Sequence, residues 1–259
     1  SNCLVTCCSS PGRGGGLRMT GGHLFKCVVS SNAAADYGGG VDNITAPIGL
    51  YGCVISNNTA VTGGSGLMLQ SSSTNEVAGC VFSGNGAADA ILLYAGAVAL
   101  VTDCGFYGNA GRALSGDYAG LVSNCTFRGN LGGGIALNYA TLIVACSFIS
   151  NSVNGNGGAL SLTANQTVDR CVLLHNYASS SGGGIHMGGG TVRNSLIAGN
   201  EVHANGYGGG IRAITATKGI IENCTIIGNK AGGSSRGGGI FFQDNGATVT
   251  NTICMFNIE

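Results

Sequence analysis

The sequence predicts an all-β protein folded as a right-handed parallel β-helix of about ten coils. Three observations lead to this prediction. A cassette of the form Cys-x-[Val/Ile/Phe/Leu]-x-x-Asn recurs at intervals of 21 to 29 residues along the chain. A block of small residues that closes on an apolar residue follows every cassette but the last. Within the cassettes, apolar residues alternate with a period of two, as on short strands.

The cassette defines two columns of similar residues, with one position per coil. Its first position is occupied by Cys27, Cys53, Cys80, Cys104, Cys125, Cys146, Cys171, Ser195, Cys224 and Thr252. Its last position is occupied by Asn32, Asn58, Asn85, Asn109, Asn130, Asn151, Asn176, Asn200, Asn229 and Asn257. Because coils of a solenoid stack on one another, each column predicts a ladder of side chains.

Apolar residues around the cassette predict two strands separated by a bend. Cys224 and Ile226 are two residues apart and share a strand face, whereas Ile221 lies three residues before the cysteine. A helical repeat would instead need apolar spacings of three and four. The same offsets recur at Val77/Phe82, Val101/Phe106, Val122/Phe127, Ile143/Phe148, Val168/Leu173 and Val192/Ile197.

The glycine block predicts another inward strand. It reads Gly-Gly-Gly-Ile at 182–185, 208–211 and 237–240, with looser copies at 64–67 and 157–160. Glycine at such a turn permits positive φ and close backbone approach. The next residues on the same face are Met19, Leu69, Leu93, Leu137, Leu162, Met187 and Phe242.

We expect residues 1–259 to form a single domain, because a solenoid is one continuous body whose length counts its repeats. The chain starts inside a partial cassette at Asn2 and stops just after another, which indicates a segment of a longer protein. Its longest apolar run, Ala90 to Val101, is too short for a transmembrane helix, so no direct transmembrane span is predicted.

The charge balance excludes two classes of partner. The formal net charge is zero and only 8% of residues are charged, so nucleic acids and anionic membranes are not expected as partners. A surface so poor in charge favours association instead. The partners predicted are a protein or glycan surface, or further copies of the chain, at an extracellular or outer cell-surface location.

The two columns have mainly structural interpretations. Stacked asparagine amides can hydrogen-bond from coil to coil and satisfy a tight turn in each. The cysteine column is interpreted as buried thiols that fill the core, because Ser195 and Thr252 replace cysteine in two copies. A disulfide pairing of Cys3, Cys7 and Cys8 at the N-terminal end stays open as an alternative.

Two outward columns carry charge. Asp169, Arg193 and Glu222 occupy one position on successive coils, where opposite charges are typical of cross-strand ion pairs. His186 and Arg212 occupy another column, followed by Phe241. A histidine beside an arginine can bind an anionic sugar, and it can equally be solvated surface.

The remaining acids and histidines appear scattered, without pairing at catalytic spacing. They are Asp42, Asp103, Asp117, Asp244, Glu76, Glu201, His23, His175 and His203. We therefore assign no catalytic, cofactor-binding or metal-binding residue and predict no cofactor.

Two surface features follow from the pattern. Outward positions of the Ala90 to Val101 run are apolar, and together with Met68 and Ala136 they predict an exposed apolar stripe. Asn-x-Ser/Thr sequons are typical of exported proteins, but those that precede ladder cysteines are expected to be too enclosed for glycosylation. The outward residues are Leu92, Tyr94, Ala97 and Ala99, and the sequons are Asn43, Asn57, Asn124, Asn165 and Asn223.

Phe-x-x-Asn motifs combine with Gly-Gly-Ala-Leu at 157–160, and looser versions of both repeat along nearly the whole chain. The Phe-x-x-Asn copies span 82–85, 106–109, 127–130 and 148–151. This combination resembles the paired repeats of chlamydial polymorphic outer-membrane proteins. The resemblance implies the surface-exposed β-helical passenger of an autotransporter-like adhesin.

The leading hypothesis is a non-catalytic extracellular or cell-surface scaffold or adhesin segment, which can also assemble into a filament. The alternative is a polysaccharide-active lyase, hydrolase or epimerase of the β-helix class. Such enzymes need carboxylate pairs, or calcium with a basic residue, on one outward face.

Overall fold

The computed structural model describes residues 1–163, 165–203, 205–214, 219–233, 236–243 and 247–259. These residues form short strands joined by turns, and none of them is helical. They divide into two compact units, Ser1–Gly132 and Gly133–Glu259, and each unit is a stack of parallel coils. The predicted parallel β-helix is thus confirmed, and the single domain over residues 1–259 stays a prediction. None of the described segments is a helix that could cross a bilayer.

The strands are short and follow the same order in each coil. The first unit contains β1 (Leu4–Thr6), β2 (Ser9–Ser10), β3 (Leu17–Met19), β4 (Gly22–Phe25), β5 (Val28–Ser30), β6 (Ala33–Ala34), β7 (Val41–Asn43), β8 (Ile48–Tyr51), β9 (Val54–Ser56), β10 (Thr59–Ala60), β11 (Leu67–Leu69), β12 (Thr74–Ala78), β13 (Val81–Ser83), β14 (Ile91–Thr102), β15 (Gly105–Tyr107), β16 (Leu114–Ser123) and β17 (Thr126–Arg128). The second unit contains β18 (Ile135–Leu137), β19 (Leu142–Val144), β20 (Ser147–Ile149), β21 (Ser152–Val153), β22 (Leu160–Leu162), β23 (Thr167–Asp169), β24 (Val172–Leu174), β25 (Tyr177–Ala178), β26 (Ile185–Met187), β27 (Thr191–Arg193), β28 (Leu196–Ala198), β29 (Glu201–Val202), β30 (Ile211–Ala213), β31 (Gly219–Glu222), β32 (Thr225–Ile227), β33 (Ile240–Phe242), β34 (Ala247–Thr250) and β35 (Ile253–Met255).

Each kind of strand pairs in register with its counterpart on the next coil. The cassette strands are β1, β5, β9, β13, β15 and β17 in the first unit and β20, β24, β28, β32 and β35 in the second. The glycine strands of the second unit are β18, β22, β26, β30 and β33, and β19, β23, β27, β31 and β34 precede the ladder position. In β14 and β16 the two kinds run together as one long strand with register shifts.

Left-handed residues make the corners of each coil. The residue before every first cassette position and the residue before every ladder asparagine have positive φ, whether or not they are glycine. Ala145 and Arg170, for example, have φ near 54° and 53°. The left-handed conformation of a non-glycine residue is unfavourable by about 1–2 kcal/mol, so surrounding interactions must stabilise the corner. The sequence pattern predicted the bends but not the left-handed conformation of these non-glycine residues.

The interior is packed as predicted at the apolar offsets of the cassette. Phe82, Phe106 and Phe127 are fully buried on successive coils, and their rings stack with centroids 5.1 and 4.7 Å apart. A buried aromatic side chain contributes roughly 1.5–3 kcal/mol by leaving water. Burial of core side chains therefore stabilises every coil by a similar amount.

The asparagine column forms the predicted ladder in both units. Asn85 donates through Nδ2 to the Oδ1 of Asn109 at 2.9 Å and to the carbonyl of Ile55 at 3.0 Å. Its own Oδ1 accepts the backbone N–H and the Nδ2 of Asn58, at 3.1 and 3.2 Å. Each buried amide thus satisfies two donor and two acceptor sites, which is its full capacity. Asn200 makes the equivalent four bonds in the second unit.

The cysteine column is also a hydrogen-bonded ladder. The backbone N–H of Cys53 donates to the Sγ of Cys80 at 3.3 Å. Where Ser195 replaces cysteine, its hydroxyl accepts the N–H of Cys171 at 3.0 Å and donates to the Arg193 carbonyl at 2.7 Å. The column therefore requires a hydrogen-bond acceptor as well as small size, which the core-filler interpretation omitted.

All twelve cysteines are thiols, including the exposed Cys3, Cys7 and Cys8, so the structure contains no N-terminal disulfide among them. Burial raises the pKa of the Cys224 thiol, which keeps it uncharged at neutral pH. Thr252 accepts the N–H of Cys224 at 3.3 Å and so ends the column with a hydroxyl.

We predict that Cys80→Ser is tolerated and that Cys80→Ala is not. The serine hydroxyl can accept the Cys53 N–H, as Ser195 does in its coil, so the free energy of unfolding should fall by about 1 kcal/mol or less. Alanine leaves that buried N–H without a partner, at an additional cost of about 1–3 kcal/mol. Denaturant unfolding of both variants under reducing conditions checks this, and equal losses would contradict the acceptor role.

Candidate ligand-binding face

The outward residues of three adjacent glycine strands form one column in the second unit. In β26, β30 and β33 the middle residue faces away from the core, and in β26 and β30 both its neighbours are buried. His186 lies opposite Arg212, and Arg212 lies opposite Phe241, in parallel register. The column predicted from the sequence is therefore present, with neighbouring strands about 4.8 Å apart.

A second row of side chains lies beside this column, directly before the glycine turns. Two guanidinium groups lie over the Tyr207 ring, that of Arg236 at 4.8 Å and that of Arg212 at 5.4 Å from the ring centroid. The ring of Phe241 is 4.6 Å from that of Tyr207 and tilted by 43°. Gly208 turns the chain here with φ 69° and places Tyr207 next to the strand column. We name His186, Tyr207, Arg212, Arg236 and Phe241 the basic–aromatic face.

Neutral groups hold the two arginines in place. Arg212 donates from Nη1 to the Ser181 hydroxyl at 2.8 Å and from Nη2 to Oε1 of Gln243 at 2.6 Å. Its Nε is buried and has no hydrogen-bond partner. Arg236 donates to the carbonyl of Asn205. Among the described residues no carboxylate forms a salt bridge with either arginine.

The first unit contains a similar arrangement in which the charge is compensated. Arg13 lies 4.9 Å over the ring of Tyr37, again in the row before the glycine turns. There the guanidinium is 2.9 Å from the buried carboxylate of Asp42, which also lies 3.4 Å from Arg18. Burial raises the pKa of Asp42, against the effect of Arg13. The arginine of this arrangement is thus ion-paired in the first unit, whereas in the second unit no carboxylate of the described residues pairs with Arg212 or Arg236.

His186 adds a neutral group to the face. Burial lowers its pKa to about 4, with a further contribution from the positive charge of Arg212. At neutral pH the imidazole is therefore uncharged, and the two arginines carry the charge. Arginine and aromatic rings together can bind the carboxylate or sulfate of an anionic ligand through charge-assisted hydrogen bonds and stacking.

Comparison with known proteins identifies the fold family. A family model described as a right-handed beta helix region matches residues 1–121 and 114–257. The chain belongs to the right-handed β-helix family. No curated protein and no solved structure matches it. The family match confirms the β-helix part of the predicted resemblance and does not extend to the chlamydial repeats.

The other predicted column of this β-helix is an ion-pair cluster. Asp169 is buried beside Arg193 at 3.4 Å and Arg170 at 3.2 Å, and it accepts a hydrogen bond from Asn194 at 2.7 Å. The hydrogen bond from Asn194 and the two guanidinium groups lower the pKa of Asp169. Glu222 follows Arg193 in register. This geometry agrees with the structural interpretation of the column.

Two residues that appeared unrelated lie in one column of the β-helix. His23 is opposite Gly49, which is opposite Glu76, so the interpretation of these residues as scattered was wrong. Tyr51 covers Gly49 and donates to Glu76 at 2.5 Å, which raises the pKa of Tyr51. Its ring stacks on that of Phe25 at 4.9 Å. The missing side chain of the intervening glycine hid this relation in the sequence.

The remaining candidates occupy structural or separate positions. Asp117 accepts a hydrogen bond from the Gly96 N–H at 3.2 Å. Asp103 and His175 lie at left-handed corners. Glu201 and His203 line a groove. Asp244 lies outside the described residues.

Two surface expectations need correction. The apolar stripe is largely covered, because Met68, Ala97 and Ala99 are fully buried, although Tyr94 is exposed. The sequon residues Asn124 and Asn223 were expected to be enclosed, yet both are exposed because they occupy left-handed corners. The buried sequon is Asn43, whose amide donates to the Ala46 carbonyl at 2.8 Å.

No three His, Cys, Asp or Glu side chains of the described ranges are grouped to hold a metal ion. Tyr207 and Arg236 of the candidate face were not predicted from the sequence. Both directly precede a glycine triplet, as Tyr37 does. Aligning the coils on the triplets rather than on the cassettes would have placed them in one row.

We predict that His186→Gln makes the β-helix less sensitive to mild acid. The unfolded histidine has a pKa near 6.5, above the value of about 4 in the fold, so the unfolded chain takes up a proton first as the pH falls. The free energy of unfolding should therefore decrease from about pH 6.5 downward in the wild type, and less steeply in the variant. Denaturant unfolding across this range checks the slope, and identical slopes would contradict the buried neutral imidazole.

Proposed function

We propose that this β-helix is a non-catalytic scaffold or adhesin segment of the extracellular space or outer cell surface, and that it binds an anionic glycan. The basic–aromatic face is the ligand-binding surface. Arg212 and Arg236 contact the acidic groups of the glycan, and Tyr207 and Phe241 pack against its sugar rings. His186 contributes a neutral hydrogen-bonding group at the edge of the face.

The observation that carries the proposal is the contrast between the two arginine–tyrosine arrangements. The guanidinium of Arg13 has the carboxylate of Asp42 as its partner, whereas the guanidinium of Arg212 is held by a hydroxyl and an amide. Arginine charge left without a carboxylate is available for an acidic ligand.

The composition supports an external scaffold. Few charged residues and many polar uncharged ones suit a surface that contacts glycans or proteins, and the exposed sequons at Asn57, Asn124 and Asn223 are consistent with export. The ladders fix the coils rigidly, which suits presentation of a binding face. Self-association remains part of the scaffold proposal, because near-zero net charge favours it.

One observation favours the alternative, a polysaccharide-active enzyme. A neutral imidazole at His186 next to the guanidinium of Arg212 has the form of a proton acceptor beside an anion-binding group. The same face would then hold and cleave an acidic polysaccharide.

We predict that the wild-type chain binds an acidic polysaccharide such as polygalacturonate, with affinity that falls as salt is raised. Arg212→Gln and Arg236→Gln should each weaken binding about tenfold, because each loses a charge-assisted contact of about 1.4 kcal/mol or more. Arg128→Gln, which removes an exposed arginine of the first unit, is the matched control and should bind normally. Isothermal titration calorimetry measures all four proteins.

The same samples are assayed for reducing ends and unsaturated products. No turnover is expected. Absence of binding, or equal weakening in the Arg128→Gln control, contradicts the proposed face. Turnover that disappears in His186→Gln contradicts the non-catalytic scaffold and supports the enzyme.

A further inference from the structure

A groove of about 560 Å³ in the second unit is lined by residues other than those of the basic–aromatic face. This volume is within the range of about 300–1,000 Å³ that is usual for small-molecule sites. The residues that line it and carry the argument are Tyr177, Glu201, His203, Lys230, Gly232 and Glu259.

The groove follows from the positions after the ladder asparagine. Tyr177, Glu201 and Lys230 occupy the first such position on three successive coils and pair in parallel register. The next position points inward and is filled by small apolar residues that lie buried beneath the groove, among them Val202 and Ala231. On the last of these coils the chain continues as Gly232 and Gly233, which also line the groove. The outward side chains of Tyr177, Glu201 and Lys230 stand above these buried residues.

The polar groups of the groove are matched donors and acceptors. The Nζ of Lys230 is 3.1 Å from Oε1 of Glu201, and about half of each side chain is exposed. The carboxylate of Glu259 accepts the backbone N–H groups of Arg236 and Gly237, at 3.1 and 3.0 Å. These contacts hold both carboxylates in place.

We propose that this groove binds a neutral sugar unit of an oligosaccharide. Neighbouring hydroxyl groups of a sugar both donate and accept hydrogen bonds, and the adjacent carboxylate and ammonium of Glu201 and Lys230 complement such a pair. Tyr177 and His203 add a ring and a further polar group. An anionic ligand would meet two carboxylates, and a cationic ligand would meet Lys230, so the charge pattern selects a neutral polyol.

The proposal goes beyond the anionic-glycan face and is independent of it. The two sites adjoin where Glu259 accepts the backbone N–H of Arg236, but no residue lines both, and they differ in charge. A single branched or mixed glycan could occupy both, but either site can be tested while the other is intact.

The test uses the whole chain and saturation-transfer-difference NMR with four neutral probes: cellotriose, maltotriose, laminaritriose and chitotriose. The double variant Glu201→Lys/Lys230→Glu keeps an ion pair at the same place and exchanges donor for acceptor. His203→Ala, which alters an exposed side chain and leaves the ion pair intact, serves if the double variant does not fold. Glu222→Gln is the matched carboxylate control, since Glu222 does not line the groove.

We expect at least one probe to bind, and its affinity to fall at least tenfold in the double variant or in His203→Ala. Glu222→Gln should bind it like the wild type, and the double variant should still bind polygalacturonate. The proposal is overturned if none of the four probes binds, if both groove variants bind as well as the wild type, or if Glu222→Gln loses binding as they do. If polygalacturonate binding alone fails, the proposed function is contradicted, but the proposal of a neutral-sugar site in the groove is not.

Discussion

In each coil, the buried amide of one asparagine must form its hydrogen bonds with the neighbouring coils. This requirement determines how the other parts of each unit stack. The Nδ2 and Oδ1 of Asn85 bond to the asparagines of the coils on either side and to a cassette-strand carbonyl. Leaving such a group buried and unpaired costs about 1–3 kcal/mol for each lost partner. The asparagine hydrogen bonds therefore fix the register between neighbouring coils at one position in each coil.

This constraint explains why coils of different length fold alike. The cassette between the two columns keeps a constant length, and the connection to the next glycine block varies. Two left-handed corners bracket each cassette strand. Hydrogen bonds of the cysteine column hold the first of them even at Ala145 and Arg170. Residue type and connection length therefore vary mainly at the outward positions and in the turns. The basic–aromatic face and the groove lie there.

Sequence periodicity was sufficient for the fold because inward positions repeat in every coil. It also placed His186, Arg212 and Phe241 in one outward column. It could not find Tyr207, which is brought to that column by a glycine turn after a connection of variable length. Nor could it relate His23 to Glu76 across Gly49, or show that Met68 is covered, because outward side chains contact neighbours that follow no repeat. The acceptor role of the cysteine column was equally hidden, since hydrogen bonds to sulfur leave no periodic signal beyond the Ser195 and Thr252 replacements.

The most direct test of the central constraint is the free energy of unfolding of Asn200→Ala, measured beside Asn154→Ala. The first substitution removes the acceptor of both the backbone N–H and the Nδ2 of Asn176. Asn154, in contrast, is exposed, and its Oδ1 accepts a hydrogen bond from the Ser179 hydroxyl at 2.9 Å. We expect a loss of about 3–5 kcal/mol for Asn200→Ala and about 0.5 kcal/mol or less for Asn154→Ala. Equal, small losses in the two variants would contradict the account.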